Sequence, residues 1–259
     1  MGVLNVTPDS FSDGGKFVDA SAAIAHAGAM LEEGATIIDV GGESTRPGAQ
    51  PVSEQEELDR VIPVIEGLRA DRRCIVSIDT MKPAVMRAAC DAGAEMINDV
   101  MALSAPGAIE AARDSGAAVC LMHMQGEPRT MQQSPHYENV VREVRGFLED
   151  RARACLEAGI AGNQIVLDPG FGFGKTVEHN LDLLAHLTDI CDGGYPVAVG
   201  LSRKSMFRAL LGRELGERLP ASLAAATIAV LKGAAIVRAH DVSATVDAIR
   251  VAHEARKRA

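Results

Sequence analysis

The chain has 259 residues, a hydrophobic content of 47% and a formal net charge of −9 at pH 7. This length suits one α/β barrel or two small domains, and the hydrophobic content excludes a disordered chain. The negative charge argues against nucleic acid as a partner. No apolar run reaches the roughly eighteen residues of a membrane span, and no secretion signal is evident, so we expect a cytoplasmic protein.

The predicted elements begin almost at the first residue, with an apolar run over 2–6. This abrupt start leads us to expect that a lead-in before the first strand is missing. The other predicted strands are residues 36–41, 74–79, 96–100, 117–123, 165–168, 196–201 and 235–239. The predicted helices are residues 18–33, 53–70, 82–92, 106–115, 137–158, 177–190, 205–212 with 220–232, and 241–257.

Capping signals support these boundaries. Ser53 with Glu56 forms a capping box, and Pro83 and Pro106 are placed in first helical turns. Glycines stand at five helix-to-strand returns, at positions 34, 93, 116, 159 and 233. Eight strand–helix units predict a single-domain (βα)8 TIM barrel over residues 1–259, with a doubly wound open sheet as the alternative.

Polar residues end nearly every predicted strand. They are Asn5, Asp39, Asp79 with Thr80, Asn98 with Asp99, His123, and Asp168. The carboxyl ends of barrel strands form one ring, and active sites of this fold lie there. Carboxylates accept hydrogen bonds and Asn98 can also donate, so this side of the ring suits a planar ligand rich in N–H groups.

Basic residues follow the last two predicted strands. Arg203 and Lys204 follow the seventh strand, and Arg238 and His240 follow the eighth. Phosphate groups commonly bind at this end of the fold, and Arg offers phosphate oxygens a planar fork. We therefore expect an anion site here.

Two glycine-rich loops carry phenylalanines that can stack on a flat ligand: residues 7–15, with Phe11, and residues 170–176, with Phe171 and Phe173. The second loop is one residue too short for a nucleotide P-loop, and neither loop has the Rossmann glycine spacing. His123 is equally consistent with a packed and a catalytic histidine.

Metal binding by His/Cys clusters is poorly supported. The five cysteines, at positions 74, 90, 120, 155 and 191, have no paired spacing and are expected to be reduced thiols. A hard cation such as Mg²⁺, held by phosphates and one or two oxygen ligands, stays possible, with Asn5 as the best-placed ligand. No Ser-His or Cys-His nucleophile pair is evident.

Four segments resemble bacterial dihydropteroate synthase: NVTPDSFSDGG at 5–15, DVGGESTRPG at 39–48, DPGFGFGK at 168–175 and SRKS at 202–205. The resemblance spans essentially the whole chain. It implies a (βα)8 barrel that joins 6-hydroxymethyl-7,8-dihydropterin diphosphate to p-aminobenzoate and releases pyrophosphate. It also implies a homodimer, formed through the later helices, that is inhibited by sulfonamides.

The resemblance implies roles for fifteen residues. The catalytic residues would be Asp79, Asp168, Lys204, Arg238 and His240. The pterin diphosphate would contact these five together with Thr45, Asn98, Met122 and Gly200. The p-aminobenzoate would contact Phe11, Thr45, Arg46, Pro47, Phe173, Lys204 and Ser205. Asn5 would hold the diphosphate through Mg²⁺.

The implied reaction favours ionisation before attack. Positive charge at Arg238, His240 and Mg²⁺ would stabilise the departing pyrophosphate, and the buried carboxylates of Asp79 and Asp168 would favour the pterin cation left behind. The aniline nitrogen would then attack without a strong general base. Three alternatives remain open: a corrinoid-linked pterin methyltransferase, a non-catalytic pterin-binding paralogue and, without the resemblance, a phosphosugar isomerase or aldolase barrel.

Overall fold

The computed structural model describes residues 1–7, 16–44, 50–71, 73–127 and 130–258, without the side chains of 16–19 and 71. Eight strands lie in these ranges: β1 (Gly2–Asn5), β2 (Ile37–Gly41), β3 (Ile75–Asp79), β4 (Met96–Asp99), β5 (Ala118–Met122), β6 (Ile165–Asp168), β7 (Ala198–Gly200) and β8 (Ile236–Arg238). Each predicted strand is found, with ends that shift by no more than two residues.

Ten α-helices follow the strands in the described ranges. They are α1 (Lys16–Glu32), α2 (Glu54–Asp71), α3 (Pro83–Ala92), α4 (Ala108–Ser115), α5 (Val140–Glu157), α6 (Val177–Ala185), α7 (Leu187–Cys191), α8 (Met206–Leu211), α9 (Leu219–Leu231) and α10 (Val242–Arg256). None of these helices is long and apolar enough to cross a membrane.

Parallel pairing connects all eight strands into a closed ring. Strands β1 to β6 form one parallel sheet and β7 pairs with β8. A bridge between Leu167 and Val197 joins β6 to the β7 segment, and a bridge between Gly2 and Ala239 joins β8 back to β1. The Val3 N–H donates to the Ala239 carbonyl at 3.1 Å, which closes the barrel. The predicted (βα)8 barrel is therefore confirmed and the open sheet is wrong.

Small and branched residues fill the barrel. Outward side chains such as Leu4, Ile38 and Ile97 are fully buried against the helices. The interior holds a smaller apolar layer of Met96, Cys120, Val166 and Ala198. Polar side chains lie on the carboxyl-end side of this layer. The apolar layer therefore fills the barrel below them, and the barrel is open at the carboxyl ends of the strands. None of the five cysteines, all in described parts of the chain, forms a disulfide bond.

Most of the predicted caps are found. The Glu56 N–H donates to Ser53 Oγ at 3.2 Å, and Pro83 opens α3. The Glu56 side chain pairs with Arg60, so only one of the two capping-box hydrogen bonds is found. The five return glycines all adopt positive φ. The placement of Pro106 in a first turn is wrong, because Gly107 takes a left-handed conformation (φ 83°) and α4 begins only at Ala108. The predicted helix over 177–190 is interrupted at His186, which separates α6 from α7.

Candidate active site

Strand alternation decides which polar strand ends enter the barrel. Asn5 lies beside Gly41, Gly41 beside Asp79, and Asp79 beside Asn98 across β1 to β4. Because side chains alternate between the two faces of a strand, these residues share the interior face. The side chains of Asn5, Asp79 and Asn98 therefore form the floor of a single site.

Asp99 does not belong to this floor, although the sequence placed it in the ring. Its carboxylate is fully buried and accepts the N–H groups of Met101 and Leu103, both at 2.8 Å. It lies one residue beyond the inward-facing Asn98, so its side chain points to the other face. Asp99 therefore caps the turn that follows β4.

A cavity of about 340 Å³ opens at the carboxyl ends of the strands. This volume lies within the usual range for a small-molecule site. All eleven described residues to which the resemblance gives a role line it: Asn5, Asp79, Asn98, Met122, Asp168, Phe173, Gly200, Lys204, Ser205, Arg238 and His240. The predictions for Phe11, Thr45, Arg46 and Pro47 fall outside the described residues.

Arg238 connects two carboxylates from neighbouring strands. Its Nε donates to Asp39 Oδ2 at 2.6 Å and its Nη2 donates to Asp79 Oδ2 at 2.9 Å. The same Asp39 oxygen accepts the Asn98 Nδ2 at 3.0 Å. The floor is thus one network, in which Arg238 compensates the charge of the two carboxylates.

Burial shifts the pKa values of two carboxylates of the site upward. Burial raises the pKa of Asp79 to about 7, and Asp39 adds to this effect while Arg238 opposes it. Burial likewise raises the pKa of Asp168. The Gly170 N–H, which donates to Asp168 Oδ1 at 2.7 Å, and the charge of Lys204 oppose this rise. Perturbed carboxylates in a cleft are typical of functional sites.

Lys204 and Phe173 meet at the rim of the cavity. The Lys204 Nζ lies 4.3 Å from the centre of the Phe173 ring, a cation–π contact between the loops after β7 and β6. A Cβ on Gly172 would approach Lys204 Cδ to 3.1 Å, so the glycine leaves room for the lysine. Phe171 differs from the expectation of a stacking residue: although it lines the cavity, it is 1% exposed and packs in the core.

The two basic residues after β7 have different surroundings. Arg203 lines the cavity, but its Nε donates to Asp241 Oδ2 at 2.9 Å, an ion pair that the sequence argument for an anion ligand did not predict. Arg203 adopts φ 58°, which turns the chain between them. The Arg218 Nη1 donates to the Arg203 carbonyl at 3.1 Å and fixes this turn.

His240 is oriented by its neighbour across the sheet. Its Nδ1 lies 3.1 Å from Ser202 Oγ, and its backbone N–H donates to the same oxygen at 3.2 Å. The imidazole is thereby placed at the cavity wall, close to Arg238 in the chain.

His123 is a packed histidine. Its Nδ1 lies 2.9 Å from the Nζ of Lys175, which is 3% exposed and also donates to the carbonyls of Gly170 and Phe173, both at 3.0 Å. Burial and the nearby Lys175 lower the pKa of His123 to about 3, and burial lowers the pKa of Lys175 to about 7. This pair holds the loop after β6 in place.

The donor set at the cavity suits a hard cation only in part. The described residues hold no group of three or more His, Cys, Asp or Glu side chains arranged for a metal ion. Asn5 lines the cavity and is the residue with an amide oxygen at the end of β1. One amide oxygen fits Mg²⁺ whose other ligands are phosphate and water.

Sequence reasoning missed several residues of the site. Gln132 donates to the Gly172 carbonyl at 2.6 Å and, like Met131 and Arg218, lines the cavity. These residues lie in connecting segments without a recognisable pattern, so no periodicity could single them out. Asp39 was placed in the ring, but its contact with Arg238, 199 positions away, has no local signal.

The fold and site define a pterin-binding barrel. Residues 1–240 match the family model described as pterin binding enzyme. The chain is 54% identical to the dihydropteroate synthase of Haemophilus influenzae over 97% of its own length and 91% of the relative. The chain therefore belongs to the dihydropteroate synthase family.

Solved structures agree with this assignment. A Yersinia pestis dihydropteroate synthase in a sulfonamide drug complex superposes with a TM-score of 0.94 at 51% identity, covering 99% of this chain and 94% of that one. A Xanthomonas albilineans dihydropteroate synthase with 4-aminobenzoic acid has a TM-score of 0.93 at 52% identity, with coverages of 99% and 92%.

Proposed function

We propose that this chain is an active dihydropteroate synthase, which condenses 6-hydroxymethyl-7,8-dihydropterin diphosphate with p-aminobenzoate. The products are 7,8-dihydropteroate and pyrophosphate, in folate biosynthesis. One observation carries the proposal: a floor of hydrogen-bond acceptors and a rim of basic groups line the same cavity. An N–H-rich heterocycle with a diphosphate tail needs this combination. Neither a methyl-folate site nor a phosphosugar site calls for it.

The pterin ring lies on the floor in this proposal. Its N–H groups meet the acceptor side chains Asp79, Asn98 and Asp168. Met122 and Gly200 line the slot, and Lys204 reaches the pterin carbonyl or a ring nitrogen. The raised pKa of Asp79, about 7, supports this placement, because a donor-rich ligand satisfies a carboxylate that burial penalises.

The diphosphate lies against Arg238, His240 and Thr45, and Asn5 would hold the Mg²⁺. The Mg²⁺ supplies positive charge to the leaving group when it is bound. Arg238 keeps its Nη1 for a phosphate oxygen, since its Nε and Nη2 already donate to Asp39 and Asp79.

The p-aminobenzoate binds at the rim. Its site combines Phe173, Lys204 and Ser205 with the residues Phe11, Thr45, Arg46 and Pro47. The contact between Lys204 and the Phe173 ring supports this site, because it joins a cation for the carboxylate to a flat apolar surface for the ring. The 4-aminobenzoic acid held by the Xanthomonas albilineans relative and the sulfonamide held by the Yersinia pestis relative support it further. Sulfonamides therefore inhibit this protein by competition with p-aminobenzoate.

The reaction proceeds by ionisation before attack. Arg238 and His240 stabilise charge on the departing pyrophosphate oxygen, and the carboxylates of Asp79 and Asp168 stabilise the cation left on the pterin methylene. The amine of p-aminobenzoate, held above by the rim, then attacks that carbon. No described side chain needs to act as a strong base, because the attacking amine is neutral and loses its proton after the bond forms.

The protein is proposed to work in the cytoplasm, where its cysteine thiols stay reduced, as a homodimer built through the later helices. Ile228 and Leu231 of α9 and Val251 of α10 are exposed apolar side chains, with Val251 72% exposed. The helices α9 and α10 pack against each other, so these side chains belong to one helical layer. Exposed apolar groups of this kind favour association.

The test is an assay with both substrates and Mg²⁺. Pyrophosphate release that requires p-aminobenzoate, together with dihydropteroate formation, supports the proposal. Tight binding of the pterin without turnover contradicts it and favours a non-catalytic pterin-binding paralogue. A sulfonamide should raise the apparent KM for p-aminobenzoate and leave kcat unchanged.

A further inference from the structure

We propose that Asp39 is a positioning residue that fixes the orientation of the Asn98 amide, so that the cavity floor accepts ligands with an N–H donor at this point. The inference deepens the proposed function and rests on pterin binding at this floor. Asp39 is assigned no contact with either substrate. Its effect on selectivity passes through Asn98.

Asp39 is the most enclosed member of the floor network. It stands on β2, two residues before the strand end, and is 0% exposed. Its Oδ2 accepts the Arg238 Nε at 2.6 Å and the Asn98 Nδ2 at 3.0 Å, whereas its Oδ1 has no hydrogen-bond partner among the described residues. Both of its hydrogen bonds therefore converge on one oxygen.

This convergence determines which atom of Asn98 faces Asp39. The two ends of an asparagine amide are nearly equal in size but opposite in hydrogen bonding. An oxygen that already accepts the Arg238 N–H cannot donate to Asn98, so the nitrogen of the amide has to face it. The Asn98 Oδ1 is then left for the cavity, which Asn98 lines.

The consequence is a floor that presents acceptors to the ligand. Asn98 Oδ1 joins the carboxylates of Asp79 and Asp168, and all three favour an N–H or NH₂ group. A 2-amino-4-oxo pterin offers such donors along one edge. A 2,4-dioxo lumazine replaces the amino donor with an acceptor, which leaves carbonyl opposite carbonyl. The floor should therefore discriminate between these two rings.

The experiment compares binding of 6-hydroxymethylpterin and 6-hydroxymethyllumazine by calorimetry. The ratio of the two dissociation constants is the readout, because general loosening of the fold weakens both ligands alike. Wild-type protein is compared with Asp39→Asn, Asp39→Leu and Ser77→Ala. Ser77 is the matched control: it is a fully buried polar residue beside Asp39 on β3, outside the network.

The variants are expected to separate hydrogen bonding from charge. Asp39→Asn keeps an acceptor oxygen for Arg238 and Asn98, so the preference for pterin is retained, as it is in Ser77→Ala. Asp39→Leu removes the acceptor, which allows Asn98 to turn its nitrogen to the cavity. The preference should then fall by about tenfold, the effect of one hydrogen bond to a mismatched buried group.

Each outcome decides one question. An unchanged ratio in Asp39→Leu overturns the inference, as does a loss in Asp39→Asn as large as that in Asp39→Leu. If Asp39→Leu does not fold, the wild-type ratio and Asp39→Asn still test it. Equal affinity of the wild-type protein for the two rings overturns the inference. Failure of the wild-type protein to bind either ring contradicts the proposed function instead.

Discussion

Arg238 is the residue on which the charge of the floor depends. It donates to Asp39 and Asp79, which are both buried. Removing one partner of a buried ion pair leaves an uncompensated charge, which is far more destabilising than losing an exposed pair. The Arg238 side chain therefore contributes both to the stability of the ligand-free barrel and to the chemistry of the site.

Arg238→Ala should lower the free energy of unfolding by about 3–5 kcal/mol, because it leaves two carboxylates without their cation. Urea unfolding monitored by circular dichroism measures this. Arg203→Ala is the matched control, since Arg203 is 41% exposed and pairs with Asp241. It should cost less than about 1 kcal/mol. Equal losses in the two variants would show that the floor network is not a buried ion pair.

Asp79 should make the stability of the ligand-free protein depend on pH. Its pKa is about 7 in the folded state, above the ordinary 3.8. The folded state therefore holds this proton more tightly, and the stability it contributes is lost as the pH rises between these values. Asp79→Asn should gain at least about 1 kcal/mol over the wild-type protein between pH 4 and 7.

Unfolding curves at several pH values measure this difference. Asp114→Asn serves as a control, because Asp114 is an exposed carboxylate on α4 with a side-chain exposure of 57%. Removal of this exposed charge should change the free energy of unfolding by no more than about 0.5 kcal/mol. A pH-independent difference for Asp79→Asn would contradict the raised pKa.

The residues of the site were largely predictable, but their partners were not. The sequence identified Asp79, Asn98, Asp168 and Arg238 because each is a polar residue at the end of an apolar strand. The carboxylate partners of a basic side chain depend on barrel closure, because closure brings together positions that are far apart in the chain. The sequence therefore predicted an anion site at Arg238 and did not predict its ion pairs with Asp39 and Asp79.

At the scale of elements, the loop after β6 is held more tightly than its glycine content suggests. Gly170 has φ +68°, and a Cβ there would approach the His123 carbonyl oxygen to 1.9 Å. Lys175 binds the carbonyl groups of the same loop from below. The glycines of this loop therefore serve close backbone packing.

Gly170→Ala should lower the unfolding free energy by several kcal/mol more than Gly194→Ala. Both glycines have positive φ, but a Cβ on Gly194 meets nothing within 4 Å, so that variant carries only the backbone strain of about 1–2 kcal/mol. Thermal unfolding of the two variants gives the comparison. Equal losses would mean that the close approach at His123 relaxes without cost.

The types and order of the elements could be predicted from the sequence because apolar runs, capping residues and glycines are local signals. Strand ends shifted by at most two residues, since apolar runs extend past the last ladder hydrogen bond. The break at His186 and the late start of α4 were not predictable. Both depend on backbone conformations at single residues, which no hydrophobic pattern records.

At the scale of the whole molecule, the two bridges that close the ring also shape the cavity, because β8 carries Arg238 back to β1 and β2. The exposed apolar side chains of α9 and α10 lie on the outside of this ring. The proposed homodimer uses that outer surface, so assembly and chemistry involve different parts of the molecule.

Val251→Glu should shift the protein from dimer to monomer, because it places a charge in the proposed apolar interface. Sedimentation velocity measures the change. Leu156→Glu on α5, at a residue that is 43% exposed, is the control and should leave the dimer intact. A wild-type protein that sediments as a monomer at micromolar concentration would contradict the proposed assembly.

The most direct test of the account measures dihydropteroate and pyrophosphate together, in the wild-type protein and in Lys204→Ala, with Lys232→Ala as a control outside the cavity. We predict equal amounts of the two products, release that requires p-aminobenzoate, and a loss of about a hundredfold in turnover only in Lys204→Ala. Pyrophosphate release without dihydropteroate when both substrates are present, or undiminished turnover in Lys204→Ala, would contradict the claim that this cavity joins the two substrates.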